Sequence, residues 1–369
     1  MTDDPGYPGS ARVTMATPTD LLWRVEEIRH LISRHFPVQD VWFDGGRPAF
    51  TIQRPRDVRP GFAALRAQLE PMGYLPALRR RRGVDLVVLL SAPPPLRTRW
   101  EVNLALFVAT LGTTFYAGYL QVLPLVRGGL LESAIGGALA FALPLVAILL
   151  THEMGHKVAS LARGIRASLP YFIPMVPPVG TMGALIVTRS PAPDRDSLMD
   201  LGASGPLAGF LVAIPILIYG IRHSFVLEPL AGTFISFPDP LLVRWLTTLL
   251  LRVPEGMVVL GHPMFWAGWY GLLVTSLNLL PASMLDGGHA VRAAFGPVRH
   301  RQISFLGILI ALAFGYLPMA VLIYLFIPRG HPGPLDDLTP LSPSRVVVAL
   351  ALVALFVLSA VPLWTIWSP

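Results

Sequence analysis

The sequence predicts an all-α polytopic membrane protein of about six transmembrane helices with a re-entrant β-hairpin, preceded by a small N-terminal α+β soluble domain. Three observations carry that expectation. Hydrophobic residues make up 53% of the 369 positions and charged residues only 14%, with a mean hydropathy of +0.58. Soluble chains of this length carry more charge. Uncharged stretches recur that are long enough to cross a hydrocarbon core, which takes about 20 helical residues. The first 100 positions differ in kind, holding 15 of the 29 Lys and Arg residues.

Taken in order, residues 1–17 are polar and proline-bearing, and are expected to be a disordered N-terminus. They lack the basic start and apolar core of a cleaved signal, so the first span is expected to act as its own insertion signal. Residues 18–92 read as the soluble domain. Leu21, Leu22, Val25, Ile28, Leu31 and Ile32 recur at helical spacing, and strand-like segments flank the turn Asp44-Gly45-Gly46. A second helical pattern holds Phe62, Leu65 and Leu69, and strands are expected around Tyr74 and Val84. That order suggests a compact sandwich in which no chemistry is evident. Residues 93–100, opening with Pro93-Pro94-Pro95, form a stiff linker.

Residues 101–369 form the membrane domain, with spans expected near 102–123, 134–157, 201–221, 263–285, 302–328 and 346–366. Pro318 makes the fifth either one kinked helix or two short legs, which decides the side of the C-terminus. Trp364 and Trp367 suit an interfacial belt, and residues 241–252 read as an amphipathic surface helix. Arg79–Arg82, Arg97 and Arg99 crowd ahead of the first span, which points to a cytoplasmic N-terminus close to anionic lipid. No aromatic residues interleave with them, so no nucleic-acid partner is expected. The loops after the second and fourth spans carry Lys157, Arg163, Arg166, Arg189 and Arg195, then Arg292, Arg299 and Arg301. The opposite loops hold fewer basic residues.

The second span ends in His152-Glu153-Met154-Gly155-His156, after residues 134–150 with no charged or strongly polar side chain. Histidines four apart share one helix face, so both imidazoles can reach one zinc ion, and the glutamate between them is placed as a base toward water. Ionisable residues are costly inside a membrane, so such a group is a functional candidate. Hydrolytic zinc takes three protein ligands, and cysteine is absent from the chain. With the N-terminus inside, the fourth span ends at the same depth, near the cytoplasmic face. It closes on a string from Asn278 through Pro281 and Leu285-Asp286-Gly287-Gly288-His289, where Asp286 or His289 could complete the site. Asp286-Gly287 also reads as an ordinary helix terminator.

The two strings together resemble the site-2 protease family of intramembrane zinc metalloproteases, which pairs a His-Glu-x-x-His helix with a later Asn-x-x-Pro-x-x-x-Leu-Asp-Gly element. The resemblance covers roughly residues 100–300, with a catalytic core of about 134–290. It is closest to the branch without a PDZ domain that includes plant chloroplast members. It implies one Zn2+ held by His152, His156 and Asp286, Glu153 as general base, and Asn278 as a polar contact to substrate. It implies membrane-protein substrates cut in or near a transmembrane helix, in regulated intramembrane proteolysis. The expected setting is a multi-pass protein of the bacterial inner membrane, with the N-terminal domain and the site toward the cytoplasm. Nothing in the sequence names a substrate, a trigger or an oligomeric state.

Residues 170–187 are too apolar for an exposed loop and too rich in Pro and Gly for a helix, so they are expected to re-enter beside the metal. In the family such a hairpin presents an edge strand, which makes Gly180 and Gly183 candidate substrate-binding positions. Gly205 and Gly209 form a small-xxx-small pair, explained by close helix packing. His223, His262, His300 and His331 fall at expected span ends or in loops. Two other readings compete: a zinc transporter, which wants several metal sites in series, and a non-catalytic scaffold that binds membrane helices.

Overall fold

The computed structural model describes residues 18–44, 47–92, 99–229 and 238–363. The expected disordered N-terminus, the Gly45-Gly46 turn, most of the linker, and Trp364 and Trp367 lie outside the described residues.

The N-terminal region runs α1 Pro18–Ser33, β1 Val38–Asp44, β2 Arg47–Ile52, α2 Arg59–Leu69, β3 Tyr74–Arg81 and β4 Val84–Ser91. Its sheet has the order β1-β2-β4-β3, each neighbouring pair antiparallel. The β3–β4 turn is Arg82-Gly83, both at positive φ, so the strand twist is continued across a two-residue loop. Ile32, Phe36, Phe50, Leu65, Leu69 and Val87 fill the core between helices and sheet.

The helical part begins with α3 Trp100–Arg127 and α4 Ala134–Ala162. The Ser133 side chain caps α4 by accepting from the Gly136 amide at 3.1 Å. A two-stranded hairpin follows, β5 Tyr171–Pro174 and β6 Thr181–Leu185, and then α5 Arg195–Arg222. Beyond lie β7 Phe225–Leu227, α6 Leu241–Leu250, β8 Val258–Leu260 and α7 Pro263–Asn278. The chain closes with α8 Asp286–Ala313, which kinks at Gly296 (φ +76°) ahead of Pro297, then α9 Leu317–Phe326 and α10 Pro343–Ser359. Helices α3, α4 and α5 are long and apolar enough to cross a membrane. Leu143, Leu211, Val321 and Val353 stand exposed on α4, α5, α9 and α10, an apolar exterior of the kind a bilayer covers.

One expected span comes out differently, and one open alternative is resolved. The fourth, residues 263–285, is not one helix: α7 stops at Asn278, residues 279–285 turn with Ser283 at positive φ, and α8 starts at Asp286. Asp286 therefore opens a helix, where the sequence admitted a helix terminator. Hydropathy carries straight through Leu279-Leu280-Pro281 because it measures transfer from water and is blind to the φ/ψ reversal at Ser283. The fifth region, residues 302–328, takes the two-leg form: α8 ends at Ala313, Gly315 sits at positive φ, and α9 begins at Leu317. Tyr316 seals this break, its hydroxyl accepting from the Val361 amide at 2.8 Å.

Candidate metal centre

One helical turn separates His152 and His156 on α4, and their rings meet edge to face with centroids 4.9 Å apart. Their Nε2 atoms lie 3.2 Å from one another. Asp286 arrives from the first turn of α8, its Oδ2 at 3.2 Å from His152 Nε2 and its Oδ1 at 3.3 Å from His156 Nε2. The start of a helix suits a carboxylate, because the amide dipoles present positive charge there. Both histidines are buried and Asp286 nearly so, and among the described residues these three form the single group able to hold a metal.

The donor set fits zinc on two counts. His156 Nδ1 donates to the Leu201 carbonyl at 2.8 Å, so in the neutral ring Nε2 keeps a bare lone pair turned on the other two ligand atoms. Three lone-pair atoms aimed at one point repel unless a proton or a metal ion lies between them, and one metal ion can satisfy all three at once. Their separations also match the edges of a tetrahedron with bonds of about 2.0–2.1 Å, which are about 3.3–3.4 Å. His289, the other sequence candidate, does not join them: its Nδ1 lies 2.7 Å from His331 Nε2.

Glycines on α5 bring that helix against the ligands. A Cβ on Gly205 would stand 2.1 Å from His156 Nε2, one on Gly202 2.6 Å from the Asp286 carbonyl, and one on Gly209 3.1 Å from His152 Cβ. Gly155 faces back, its Cβ position 2.4 Å from the Ser204 carbonyl. The small-residue pair at 205 and 209 thus packs on the histidines themselves. Sequence reasoning gave no role to Gly202 and Gly155, although Gly155 sits within the two-histidine motif and Gly202 lies three residues before Gly205.

Glu153 is buried at 5% exposure, and its Oε2 has no hydrogen-bond partner. The backbone of Ile186, just past β6, lies against its carboxylate. A buried unpaired carboxylate oxygen is costly and wants a partner such as water, an ion or a substrate amide. Asn278 ends α7 with Nδ2 3.4 Å from His152 Nε2, at the rim of the same group.

The hairpin is anchored to α3 through the Asn103 side chain, which donates to the Leu169 and Pro170 carbonyls, and through Thr113 Oγ1, which donates to the Gly180 carbonyl at 2.7 Å. Gly180, at φ +83°, leaves no room for a side chain, whose Cβ would fall 2.4 Å from the Thr113 carbonyl. Gly183, at φ +100°, has open space where its Cβ would be. β5 packs on α3 and β6 beside α4, and among the described residues β6 has no strand partner on its far side.

Two histidines lie deeper than expected. His300 is buried within α8, its Nε2 donating to the Ser283 carbonyl at 3.1 Å, and His331 packs between His289 and His300.

No solved structure matches the chain. It is similar to "Probable zinc metalloprotease EGY1, chloroplastic" of Arabidopsis thaliana, 34% identical over 251 residues, covering 64% of this chain and 45% of that protein. The protein of the same name from Oryza sativa subsp. japonica is 32% identical over 250 residues, covering 64% and 42%. "Probable zinc metalloprotease EGY2, chloroplastic" of Oryza sativa subsp. indica is 32% identical over 219 residues, covering 56% and 38%. The chain thus spans less than half the length of these relatives. The model of "Peptidase family M50" matches residues 140–324, a stretch that runs through His152, Glu153, His156, Asn278 and Asp286. The chain therefore belongs to peptidase family M50, the site-2 protease family that its two motifs resemble.

Proposed function

We propose that this chain is an intramembrane zinc metalloprotease that hydrolyses peptide bonds in or beside transmembrane helices of membrane-protein substrates, as in regulated intramembrane proteolysis. The observation that carries it is the convergence of His152 Nε2, His156 Nε2 and Asp286 at 3.2–3.3 Å beside a buried carboxylate with an unpaired oxygen. One zinc ion held by those atoms would supply a Lewis acid for the scissile carbonyl and a fourth position open to water.

Glu153 takes the proton of the attacking water on its carboxylate and returns it to the leaving amine. Asn278 donates toward the reacting carbonyl or the substrate backbone. A helical substrate hides its carbonyls in i to i+4 bonds, so it must be unwound before attack. The free edge of β6 beside α4 can pair with the unwound segment, Gly180 locking the turn to α3 and Gly183 leaving space alongside. From α3, Asn103 holds the approach to β5 and Thr113 and Gln121 hold the turn that leads into β6.

The proposed topology has about six crossings, with α3, α4 and α5 joined by α7, the α8–α9 pair and α10. The N-terminal domain and the site then face the cytoplasm, in a bacterial inner membrane. The chloroplastic names of the relatives place those proteins in a plastid, so the host membrane is part of this proposal. Among the described residues one metal group exists, where a transporter wants several in series.

Glu153→Gln tests the reading. Purified with its metal and reconstituted with a membrane substrate, the variant is expected to keep its zinc and lose cleavage by about 10²–10⁴-fold. Cleavage at the wild-type rate by a zinc-loaded variant would sink the mechanism.

A further inference from the structure

Residues 332–339 run as a strap between α9 and α10, bridged strand-fashion at Asp336, and they join three parts of the molecule. Leu335 is 1% exposed and lies in the core of the N-terminal domain. The Leu78 amide donates to the Leu335 carbonyl at 2.8 Å and the Asp337 amide to the Leu78 carbonyl at 3.3 Å, so the strap pairs in parallel with the outer edge of β3. Arg79 Nη1 reinforces this with bonds to the Pro334 and Leu335 carbonyls at 2.8 and 2.9 Å. On the strap's other side, the Leu335 and Asp336 amides donate to the Ala192 and Pro193 carbonyls, both at 2.8 Å, just ahead of α5.

From this ribbon the Asp337 carboxylate reaches the helices. Its two oxygens accept from Arg292 Nη1 and Nη2 at 2.9 and 2.7 Å, and Oδ1 also accepts from Arg195 Nε at 3.2 Å. Arg292 lies on α8, whose first residue is Asp286, and it is 2% exposed. Arg195 opens α5, the helix whose Gly202 and Gly205 press on Asp286 and His156. Gly333 fits the strap to the same guanidinium, since a Cβ there would stand 2.2 Å from Arg292 Nη2.

A buried ion pair is a weak source of stability, because apolar side chains of similar volume hold two helices together as well or better. What a bidentate fork adds is direction: two parallel bonds set the angle and the register of the partners, where apolar faces can slide. We propose that Asp337 is a positioning residue for the metal centre. By clamping Arg292 and Arg195 it registers α8 against α5, and so sets Asp286 opposite the two histidines. Because its strap pairs with β3, that register depends on the N-terminal domain being docked. The proposal rests on the zinc reading given above.

Linkage makes the test reciprocal: if the strap sets the metal ligands, metal must in turn steady the strap. Zinc-free full-length protein in detergent is titrated with zinc, with hydrogen exchange followed by peptide. The strap amides at residues 335–337 are expected to exchange more slowly in the zinc form, while β7 and β8 do not change. Two variants accompany it: Asp337→Asn, and Arg292→Met combined with Asp337→Asn, which leaves no buried guanidinium unpaired. Both are expected to bind zinc about 10- to 100-fold more weakly, the usual effect of losing an outer partner of a metal site. Their cobalt forms should show an altered visible spectrum, which a merely structural role would not produce. If wild-type protein binds zinc with strap exchange unchanged, or the folded double variant matches wild type in affinity and cobalt spectrum, the positioning role is overturned. Failure of wild-type protein to bind zinc at all would instead overturn the metal reading beneath it.

Discussion

In the N-terminal domain the buried side chains are Ile32, Phe36, Phe50, Leu65, Leu69 and Leu78, whereas the helical part buries His152, Glu153, His156, Arg292 and Asp337 among its leucines. The first is an apolar core with charges kept at its surface. Among its described residues Asp85 is the one buried charge, and it is met by Arg54 and by a half-exposed Arg80 at 2.9 and 2.7 Å. The second places charge where water is scarce. Each charge there costs solvation, so each must find a partner of fixed geometry. Substitutions should therefore act differently in the two regions: on stability in the first, and on metal binding in the second.

The largest effect is expected at the third ligand. Asp286→Ala removes the only carboxylate of the group and should take zinc content from about one equivalent to near zero, with cleavage lost alongside. Metal analysis after gel filtration measures it. His289→Ala is the partner experiment, expected to keep the metal because His289 pairs with His331. If zinc follows His289 and not Asp286, the assignment of the third ligand is wrong.

Next in size is a pair of glycines on one helix. Gly205→Ala drives a methyl to 2.1 Å from His156 Nε2, so either the imidazole or α5 must move, and zinc affinity should fall by at least about 10-fold. Gly209→Ala meets His152 Cβ at 3.1 Å, which a shift of a few tenths of an ångström relieves, so a change of only about a few-fold is expected. Competition against a chromophoric chelator ranks the two. Equal effects would mean that α5 is not seated on the ligands.

The smallest effect belongs to the N-terminal domain. Burial pushes the Asp85 carboxyl up, but hydrogen bonds from Arg80 and Arg54 outweigh it and hold the group below the usual carboxylate range. A depressed folded value means that the stabilisation is present above the unfolded pKa of about 3.9 and is lost as pH falls through the folded value. Asp85→Asn should lower the unfolding temperature slightly at neutral pH, because the arginines are partly solvated, and should flatten the acid limb below about pH 4. Thermal unfolding across pH reads it, and zinc affinity should stay at wild type. A loss of zinc in this variant would erase the contrast between the two regions.

Much of the site was legible because it is local. A period of 3.6 residues forces His152 and His156 onto one face whatever the rest of the chain does, and an apolar run of that length before them has little choice but a helix. The hairpin at 170–187 was legible for the complementary reason, its prolines and glycines refusing a helix in an apolar stretch. The break at 279–285 was not read, because hydropathy runs on through Leu279-Leu280-Pro281, although α7 already stops at Asn278 and Pro281, which lacks an amide donor, stands in the turn before the reversal at Ser283.

By itself, then, the sequence determined the composition of two unlike regions, the two-histidine face with its glutamate, and the presence of a non-helical segment beside them. These follow from covalent spacing and transfer free energy, which act over a few residues. Spacing left Asp286 and His289 both open and the family resemblance implied Asp286; the tertiary structure brings Asp286 to the histidines, since it opens α8 toward α4 while His289 turns to His331. Tertiary structure alone decided that Gly202 and Gly205 admit α5 to the ligands, and that Asp337 reaches Arg292 from 45 residues away. Such contacts depend on how helices far apart in the chain settle against one another, and no periodicity records that.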